Sequence, residues 1–462
     1  MGRELQEFKP INNGEVRMYT CGPTVWNYAH VGNLRTFAFE DLLKRYLRYK
    51  GYKVLHVMNI TDVEDRIIKG MKVTGKPLKE LTSFYEAAFM ADLDTLGIQR
   101  ADHYPRAAEH IGEMVALIKV LREKGYAYAA PNGSVYFDIS KFDRYGALSG
   151  VKLDAAKRGN RVSLDHYEEK KEAVDFAIWK AWDPDDADVF WEVELGKGRP
   201  GWSLECSAMS MKYLGESFDI HAGGMDNKFP HHENEIAQSE AATGRKFVNY
   251  WLHSEFLKVE GAEMHKSVGN DVYLRDLLDD GWDPLTVRLF FYSARYRDAI
   301  DLTVAGLEQA QAQRQRLQDF LERLRSVPAG PTSADNLAGD LLVGFEVAMD
   351  DDLNTPEALA AIFTVVKKTN ALIDSGNLGS VAAASVLDAL RTINSVLGIL
   401  RFEKESLPAD LAALVEQRDA ARRRHDFAES DRIRKILLAR GIVIEDTPSG
   451  TSWKRVTRGQ NT

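Results

Sequence analysis

The chain has 462 residues, of which 44% are hydrophobic and 28% are charged, and its net charge is -9. This length predicts several domains of an ordinary globular type, and the acidic total excludes a wholly basic nucleic-acid coat. The first ten residues lack the apolar core of a signal peptide, and no apolar run approaches the roughly 20 residues that cross a bilayer. We therefore expect a cytoplasmic protein without a membrane segment.

The first third of the chain predicts a βαβ unit. The segment "EVRMYT" alternates like a strand, the turn "CGPTVWNYAHVGN" follows it, and an amphipathic helix extends from about Leu34 to Tyr49. The segment "KVLHVMN" then has the character of a second strand, and helical patterns continue to about residue 125. Such units imply a parallel sheet whose ligand site lies beyond the strand ends.

The order of the later segments predicts a catalytic domain with an insertion, followed by helical units. Strand-like and loop segments return from 196 to 260, and helical spacing takes over after residue 303. Another helix restarts near residue 355, with Thr355 as the expected cap and Pro356 in its first turn. We place the domain limits at 1–125, 126–195, 196–260, 261–310, 311–400 and 401–462.

The chain has only two cysteines, Cys21 and Cys206, which do not form a disulfide framework of the secreted type. Taken singly, such a cysteine is more often a small buried hydrophobe than a ligand. The stretch "FPHHENE" changes that balance, because a helix starting near Pro230 would place His231 and Glu235 on one face. An imidazole and a carboxylate supply half of a tetrahedral zinc site, and the two cysteines are the obvious donors of the rest.

Two glycine-containing stretches share features with nucleotide-binding motifs. In "HVGN", the helix N-terminus favours an anion, His30 and Asn33 add donors, and Gly32 leaves room for a flat base. A turn histidine alone is usually nothing more, so the strand-turn-helix context carries this interpretation. The stretch "GKGRPG" has the letters of a dinucleotide fingerprint, but Pro200 interrupts it and a strand-like stretch is expected next, so we reject it.

Six motifs in order resemble those of cysteinyl-tRNA synthetases, which are class I aminoacyl-tRNA synthetases. They are "CGPTVWNYAHVGN", "NITDVEDRI", "GRPGWSLECSAM", "FDIHAGGMDNKFPHHENEIAQSE", "MDDDLNTPEAL" and "GIVIEDTPSGTSW". The resemblance covers essentially the whole chain. It implies an α/β fold in which a Rossmann-type parallel-sheet catalytic domain with an insertion is followed by a stem-contact region, an α-helical bundle and a small C-terminal anticodon-binding domain.

The resemblance also implies a role for individual residues. The zinc ligands would be Cys21, Cys206, His231 and Glu235, with His232 and Glu233 behind them or at the surface. The ATP site would comprise His30, Gly32, Asn33, Asp226, Lys266 and Ser267, the last two within "EMHKS", which takes the position of the family's "KMSKS" loop. The amino-acid pocket would include Thr61, Trp202 and His221. The tRNA contacts would include Arg422, Asp431 and Asp446.

The implied activity is ATP-dependent formation of cysteinyl-adenylate and transfer of cysteine to tRNA(Cys). One zinc ion (Zn2+) per chain and Mg2+ with ATP are the implied cofactors, and we expect a monomer. Serine differs from cysteine by one atom, and an apolar pocket gains only about 1 to 3 kcal/mol from such a difference. Zinc prefers a thiolate to a neutral hydroxyl, so it supplies the missing selectivity.

Three parts of the sequence depart from the family pattern. Asn33 replaces the second histidine of "HIGH", Ser203 stands where histidine is common, and Glu263 and His265 alter the "KMSKS" loop. Three alternatives follow from weaker observations: a ligase that joins cysteine to an amino sugar, a non-catalytic tRNA-binding relative, and a zinc hydrolase. The "HHENE" cluster lacks the HExxH arrangement of the hydrolases, and the arginine-rich C-terminal unit has no use in the amino-sugar ligase.

Overall fold

The computed structural model describes residues 5–151, 175–264, 270–330, 336–403, 407–440, 442–447 and 450–455. The first third contains β1 (Glu15–Thr20), α1 (Val31–Tyr49), β2 (Lys53–Met58), α2 (Asp65–Thr74), α3 (Leu78–Thr95) and α4 (Ile111–Glu123). The predicted βαβ start is therefore confirmed. Helix α1 begins at Val31 rather than at Leu34, because His30 caps it by accepting the Asn33 amide at Nδ1 over 3.2 Å.

An antiparallel sheet of five strands follows. Its strands are β3 (Ala127–Ala129), β4 (Val135–Phe137), β5 (Phe176–Ala181), β6 (Trp191–Val193) and β7 (Gly196–Pro200), in the spatial order β3-β4-β5-β7-β6. The glycines of "GKGRPG" thus lie in a strand and its end, not in a phosphate-binding turn. A Cβ at Gly201 would lie 2.0 Å from the carbonyl oxygen of Ala177, so close strand packing explains that glycine.

The chain then returns to the first sheet through α5 (Trp202–Leu214), β8 (Phe218–Gly224), α6 (His231–Thr243) and β9 (Val248–Ser254). Our strand-like interpretation of the residues around "ECSAMS" was wrong, because they lie in α5. Residues 203–210 of this helix are all buried. A helix enclosed on every side has no polar face, and its sequence therefore lacks the 3.6-residue period that reveals a surface helix.

The main sheet has four parallel strands in the order β2-β1-β8-β9. Strand β1 lies in the interior, pairing with β2 on one side and with β8 on the other. All four carboxyl ends therefore reach the same edge of the sheet, where Cys21 directly follows β1. The predicted parallel sheet is confirmed, and this edge is where open α/β sheets bind ligands.

The helical half contains β10 (Leu257–Val259), β11 (Ala262–Glu263), α7 (Leu274–Asp279), α8 (Pro284–Phe291), β12 (Ile300–Leu302), α9 (Val304–Arg325), α10 (Leu337–Asp350), α11 (Thr355–Asp374) and α12 (Ser380–Leu397). The N-cap of α11 is Asn354, whose side chain accepts the Glu357 amide at 3.3 Å. Our prediction that Thr355 is the cap was therefore wrong, since the side-chain oxygen of Asn354 accepts a hydrogen bond from one of the unpaired N–H groups of the first turn. Pro356 lies in the first turn, as expected.

The C-terminal unit consists of α13 (Ala409–Arg423), α14 (Phe427–Ala439), β13 (Ile442–Thr447) and β14 (Gly450–Arg455). It has a small apolar core of its own, formed by Leu411, Ile433, Leu437, Ile442 and Ile444. In contrast, α1 and the bundle helices share one continuous core. In the described parts of the chain, no helix is both long enough and apolar enough for a membrane crossing. The domain limits that we drew from the sequence stay a prediction.

Candidate metal and nucleotide site

The four candidate metal ligands come together at the carboxyl edge of the main sheet. Cys21 follows β1, Cys206 lies on α5, and His231 and Glu235 lie one turn apart on α6. Their sulfur, nitrogen and oxygen ligand atoms all lie within 4.8 Å of one another, and all four side chains are buried. Nε2 of His231 is 3.0 Å from Oε1 of Glu235, which confirms that the two residues share a helix face.

The residues present fit a zinc ion. Nε2 of His231 and Oε1 of Glu235 face each other at 3.0 Å and have no further hydrogen-bond partner among the described residues. Together with the two sulfur atoms they form a set of four donors within 4.8 Å of one another, so a cation placed between them would have four ligands. Two thiols, one imidazole and one carboxylate are donors that zinc accepts in tetrahedral sites.

A second set of four buried residues, Cys21, His221, His232 and Glu235, also has its ligand atoms within 4.8 Å. Both nitrogens of His232 and Nε2 of His221 lie within hydrogen-bonding distance of other side chains, whereas Nδ1 of His221 has no partner among the described residues. His232 places Nε2 3.3 Å from Sγ of Cys21 and Nδ1 2.8 Å from Nε2 of His253, and His221 Nε2 is 3.0 Å from Glu235 Oε2. This set therefore resembles a supporting layer around the first one.

Two residues next to the ligands are more deeply buried than we expected from the sequence. We placed His232 and Glu233 either behind the ligands or at the surface, and both are buried, which excludes the surface position. Glu233 accepts the amides of Gly146 and Ser149, each at 2.8 Å. The insertion covers this side of α6, so a charged residue that would face water on an isolated helix is instead hydrogen-bonded inside.

Mutual attraction controls the protonation of the site in the absence of a metal. Burial would raise the pKa of Cys206, but hydrogen bonding with Cys21 and attraction to His231 lower it to about 6. Burial raises the pKa of Cys21, and the neighbouring Cys206 raises it further. Burial would lower the pKa of His231, whereas attraction to Cys206 and Glu235 raises it to about 10. One thiolate, one thiol and one imidazolium therefore coexist here.

Two of the three residues that we expected to form the amino-acid pocket contact this cluster, and the backbone amide of the third, Thr61, donates to the carbonyl of Pro23 at 3.1 Å. The indole of Trp202 stacks on the imidazole of His231, with ring centroids 3.9 Å apart and planes at 23°. Thr61 is buried and accepts a hydrogen bond from Nδ2 of Asn59 at 3.0 Å. His221 lies behind Glu235, as described above. Trp202 and His221 thus contact candidate metal ligands directly, which nothing in their sequence spacing indicated.

The candidate ATP site lies at the N-terminus of α1. Because His30 accepts the Asn33 amide at Nδ1, its ring proton is on Nε2, a donor suited to phosphate oxygens. Gly32 is tightly enclosed, since a Cβ there would lie 2.7 Å from Cε of Met264 and 3.1 Å from the His30 ring. The glycine therefore serves close packing in this structure. Asp226 is exposed just after β8. Lys266 and Ser267 lie outside the described residues.

Sequence reasoning missed a buried arginine beside this turn. The guanidinium of Arg35 on α1 donates to four backbone carbonyls, those of Glu255, Phe256, Arg295 and Asp298, at 2.6 to 3.1 Å. Burial lowers its pKa to about 10. Arg35 thereby ties α1 to the segments after β9 and α8. An arginine in an amphipathic helix is usually exposed to solvent. The sequence around Arg35 gave no indication that its side chain is buried and joins separate segments.

The three residues expected to contact tRNA lie in the C-terminal unit. Arg422 on α13 forms an ion pair with Asp446 on β13, and Arg418 donates to both oxygens of Asp446 at 2.9 and 2.8 Å. Asp431 is exposed on α14. The Arg418 side chain is only 3% exposed, whereas that of Asp446 is 41% exposed. Asp446 thus has a structural partner that the sequence did not reveal.

Three family models match successive parts of the chain. Residues 7–312 match the tRNA synthetases class I (C) catalytic domain, residues 344–401 match the DALR domain, and residues 404–453 match the cysteinyl-tRNA ligase anticodon binding domain. The last match lies in the unit that contains Arg422, Asp431 and Asp446.

Curated relatives match along the whole chain. A cysteine–tRNA ligase of Protochlamydia amoebophila is 45% identical over 460 residues, which cover 98% of this chain and 96% of the relative. One from Brachyspira hyodysenteriae is 45% identical over 470 residues, covering 98% of each. Among solved structures, Mycobacterium tuberculosis methionyl-tRNA synthetase in complex with methionyl-adenylate has a TM-score of 0.61 at 15% identity, covering 83% of this chain and 92% of that chain. This last likeness concerns the fold alone.

Proposed function

Because the chain belongs to the cysteine–tRNA ligase family, we propose that it activates cysteine with ATP and transfers it to the 3′ end of tRNA(Cys), with one zinc ion held by Cys21, Cys206, His231 and Glu235. The observation that supports the metal assignment is the meeting of four buried ligand atoms, two thiol sulfurs, an imidazole nitrogen and a carboxylate oxygen, within 4.8 Å of one another. They lie at the carboxyl edge of the main sheet, where open α/β sheets bind ligands.

When bound, zinc would supply a Lewis acid that favours a thiolate over a neutral hydroxyl, and so cysteine over serine. The side chains around it do the positioning. His221 holds Oε2 of Glu235, which leaves Oε1 directed toward His231, and Trp202 covers the face of the His231 ring. These contacts exclude water from the ligand atoms and keep them in one arrangement before any ion arrives.

The reaction needs no nucleophile from the protein. A carboxylate oxygen of cysteine attacks the α-phosphorus of ATP and pyrophosphate leaves; a ribose hydroxyl of the tRNA then attacks the acyl carbon and AMP leaves. The chain therefore contributes position and charge. We assign this role to the N-terminus of α1, to His30, Gly32 and Asn33, and to Lys266 and Ser267, with Mg2+ accompanying ATP. Asp226 would hold the ribose, and Thr61 would line the amino-acid pocket.

We assign tRNA recognition to the C-terminal unit. Its family match and its arginine-rich helices support contacts to the phosphate backbone, with Arg422 and Asp431 exposed on their helices. A ligase that uses an amino sugar would not need such a unit. The cytoplasmic location and the monomeric state remain predictions.

The metal assignment is tested by comparing two single variants with the unmodified chain. Cys206→Ser removes a ligand that only the first set contains, whereas His232→Asn removes one that only the second set contains. We expect metal analysis to find about one zinc per unmodified chain, little in Cys206→Ser, and at least half occupancy in His232→Asn. The reverse pattern would assign the metal to the second set.

Catalysis is tested separately by cysteine-dependent exchange of pyrophosphate into ATP, which requires no tRNA. We expect exchange with cysteine and at least about a hundredfold less with serine, because the site selects a thiolate. Absence of exchange with cysteine would favour a non-catalytic tRNA-binding relative. If the chain catalyses pyrophosphate exchange but does not charge tRNA, our assignment of tRNA recognition to the C-terminal unit is wrong.

A further inference from the structure

A chain of hydrogen bonds extends behind the imidazole of His231, on the side away from the metal ligands. Oγ of Ser203 lies 3.2 Å from Nδ1 of His231. Nδ2 of Asn234 donates to the same hydroxyl at 3.3 Å, and the hydroxyl of Tyr145 donates to Oδ1 of Asn234 at 2.5 Å. Ser203 and Asn234 are 7% and 5% exposed, so water competes little for these bonds.

The two nitrogens of His231 have different surroundings. Nε2 faces Glu235 and the thiols, whereas Nδ1 faces Ser203. A neutral imidazole that binds a metal through Nε2 must carry its proton on Nδ1. That proton needs a buried acceptor, and the Ser203 hydroxyl is at hydrogen-bonding distance.

The orientation of Asn234 makes Ser203 suitable for that role. The Tyr145 hydroxyl donates to the amide oxygen, which directs the Asn234 N–H group to Ser203. A hydroxyl oxygen has two lone pairs, so it can accept from Asn234 and from His231 at the same time. The Ser203 backbone is also held, since Nε2 of Gln238 donates to its carbonyl oxygen.

We propose that Ser203, itself held by Asn234 and Tyr145, is a positioning residue for the zinc site: it accepts the Nδ1 proton of His231 and thereby presents Nε2 to the metal. This inference rests on the proposed function, in which His231 is a zinc ligand. It also gives a role to a residue that departs from the family pattern, in which histidine is common at this position. A serine there keeps a hydrogen-bond acceptor next to His231.

The segment that carries Tyr145 is anchored to the same helix. Glu233 on α6 accepts the amides of Gly146 and Ser149, and Asn234, the next residue, accepts from Tyr145. The insertion therefore contributes the outermost member of the hydrogen-bond chain. Replacing Tyr145 by phenylalanine removes one hydroxyl and leaves the amide of Asn234 free to rotate, so we expect a smaller effect than from losing the acceptor itself.

The test is zinc affinity, measured by competition with a chromophoric chelator on the full-length protein. Ser203→Ala leaves the Nδ1 proton without an acceptor, and we expect affinity to fall by about 10- to 100-fold. Ser203→Thr keeps the hydroxyl and should stay within about threefold of the unmodified chain, and Tyr145→Phe should lie between the two. Ser210→Ala is the matched control, because Ser210 is a buried serine of α5 whose hydroxyl donates to Ser207 of its own helix.

A second readout follows the proton directly. In zinc-loaded protein with ¹⁵N-labelled histidine, we expect a protonated Nδ1 of His231 with slow hydrogen exchange, and faster exchange in Ser203→Ala. Equal zinc affinity of Ser203→Ala and the unmodified chain would overturn the proposal. Equal weakening by Ser203→Ala and Ser203→Thr would overturn it as well, because the hydroxyl would then not be the cause.

These outcomes are separable from those of the proposed function. If the unmodified chain binds no zinc, the metal assignment itself fails. If the unmodified chain binds zinc, Cys206→Ser does not, and Ser203→Ala binds as tightly as the unmodified chain, only the role of Ser203 is wrong. If Ser203→Ala fails to fold, as judged by circular dichroism, the zinc affinities of Ser203→Thr and Tyr145→Phe, compared with that of Ser210→Ala, still test the role of Ser203.

Discussion

Nε2 of His221 lies 3.0 Å from Oε2 of Glu235, and both side chains are completely buried. His221 belongs to β8 and Glu235 to α6, so the contact joins the central sheet to the helix that carries two candidate ligands. Attraction to His221 and His231 holds the pKa of Glu235 below its usual value in spite of burial, which alone would raise it. The carboxylate is therefore charged and oriented before a metal binds.

The first prediction concerns this contact. His221→Ala should lower zinc affinity by about 10- to 100-fold, because Glu235 loses the group that orients its carboxylate. The measurement is chelator competition, with His110→Gln as a control in which another buried histidine is lost. His110 contacts the carbonyl of Arg106 and the hydroxyl of Tyr213. If His221→Ala binds zinc normally but has a raised KM for cysteine, His221 lines the amino-acid pocket without supporting the metal.

The second prediction concerns protons. Near pH 7 the lowered pKa of Cys206 already makes it a thiolate, whereas the raised pKa values of Cys21 and His231 keep both protonated. Zinc needs a thiolate and a neutral imidazole, so its binding should release about two protons per chain. Affinity should consequently rise as pH rises from 6 to 8.

Calorimetry of zinc binding in buffers of different ionisation enthalpy measures this release. The observed heat should depend on the buffer with a slope near two protons. A slope near zero would mean that the site is already deprotonated without metal, contrary to the pKa directions described for Cys21 and His231.

The third prediction concerns the C-terminal unit. Asp446→Ala leaves the buried guanidinium of Arg418 without the carboxylate to which it donates two hydrogen bonds. We expect a loss of about 1 to 3 kcal/mol in the stability of this unit, less than for a fully buried pair because Asp446 is partly exposed. Thermal unfolding is the measurement, and Asp431→Ala, at an exposed position, is the control.

The tRNA arm of the same experiment uses Arg422→Ala. Loss of a phosphate contact should weaken tRNA binding and reduce the slope of log K against log salt concentration by about one. If Asp446→Ala leaves stability unchanged but weakens tRNA binding as much as Arg422→Ala does, the carboxylate acts on the tRNA itself and its ion pair with Arg418 is incidental.

The fourth prediction concerns "EMHKS". Lys266→Ala should reduce cysteine-dependent pyrophosphate exchange at least about tenfold, a barrier change of roughly 1.4 kcal/mol. Glu263→Lys, which restores the charge common in the family, should leave exchange equal or faster, because our proposal assigns the essential contact to Lys266. Unchanged exchange in Lys266→Ala would exclude this role for the loop, and a sharp loss in Glu263→Lys would show that Glu263 itself contributes.

Local patterns were enough for part of this organisation. The βαβ start and the shared face of His231 and Glu235 follow from periods of two and 3.6 residues, which neighbouring residues determine by themselves. The same reasoning predicted strand-like structure where α5 lies, because a helix buried on all sides has no polar stripe. It also chose Thr355 instead of Asn354 as a cap, where two adjacent residues both have suitable side chains.

By itself, the sequence determined the candidate ligands, their chemistry, and the family to which the ordered motifs belong. Only the tertiary structure decided that the four ligand atoms meet within 4.8 Å of one another, and that Ser203, His221 and His253 stand behind the ligands and their neighbours. The physical reason is distance along the chain: Cys21 and His232 are separated by 211 positions, yet their side chains lie 3.3 Å apart. Such contacts depend on how strands and helices pack, which no local period encodes.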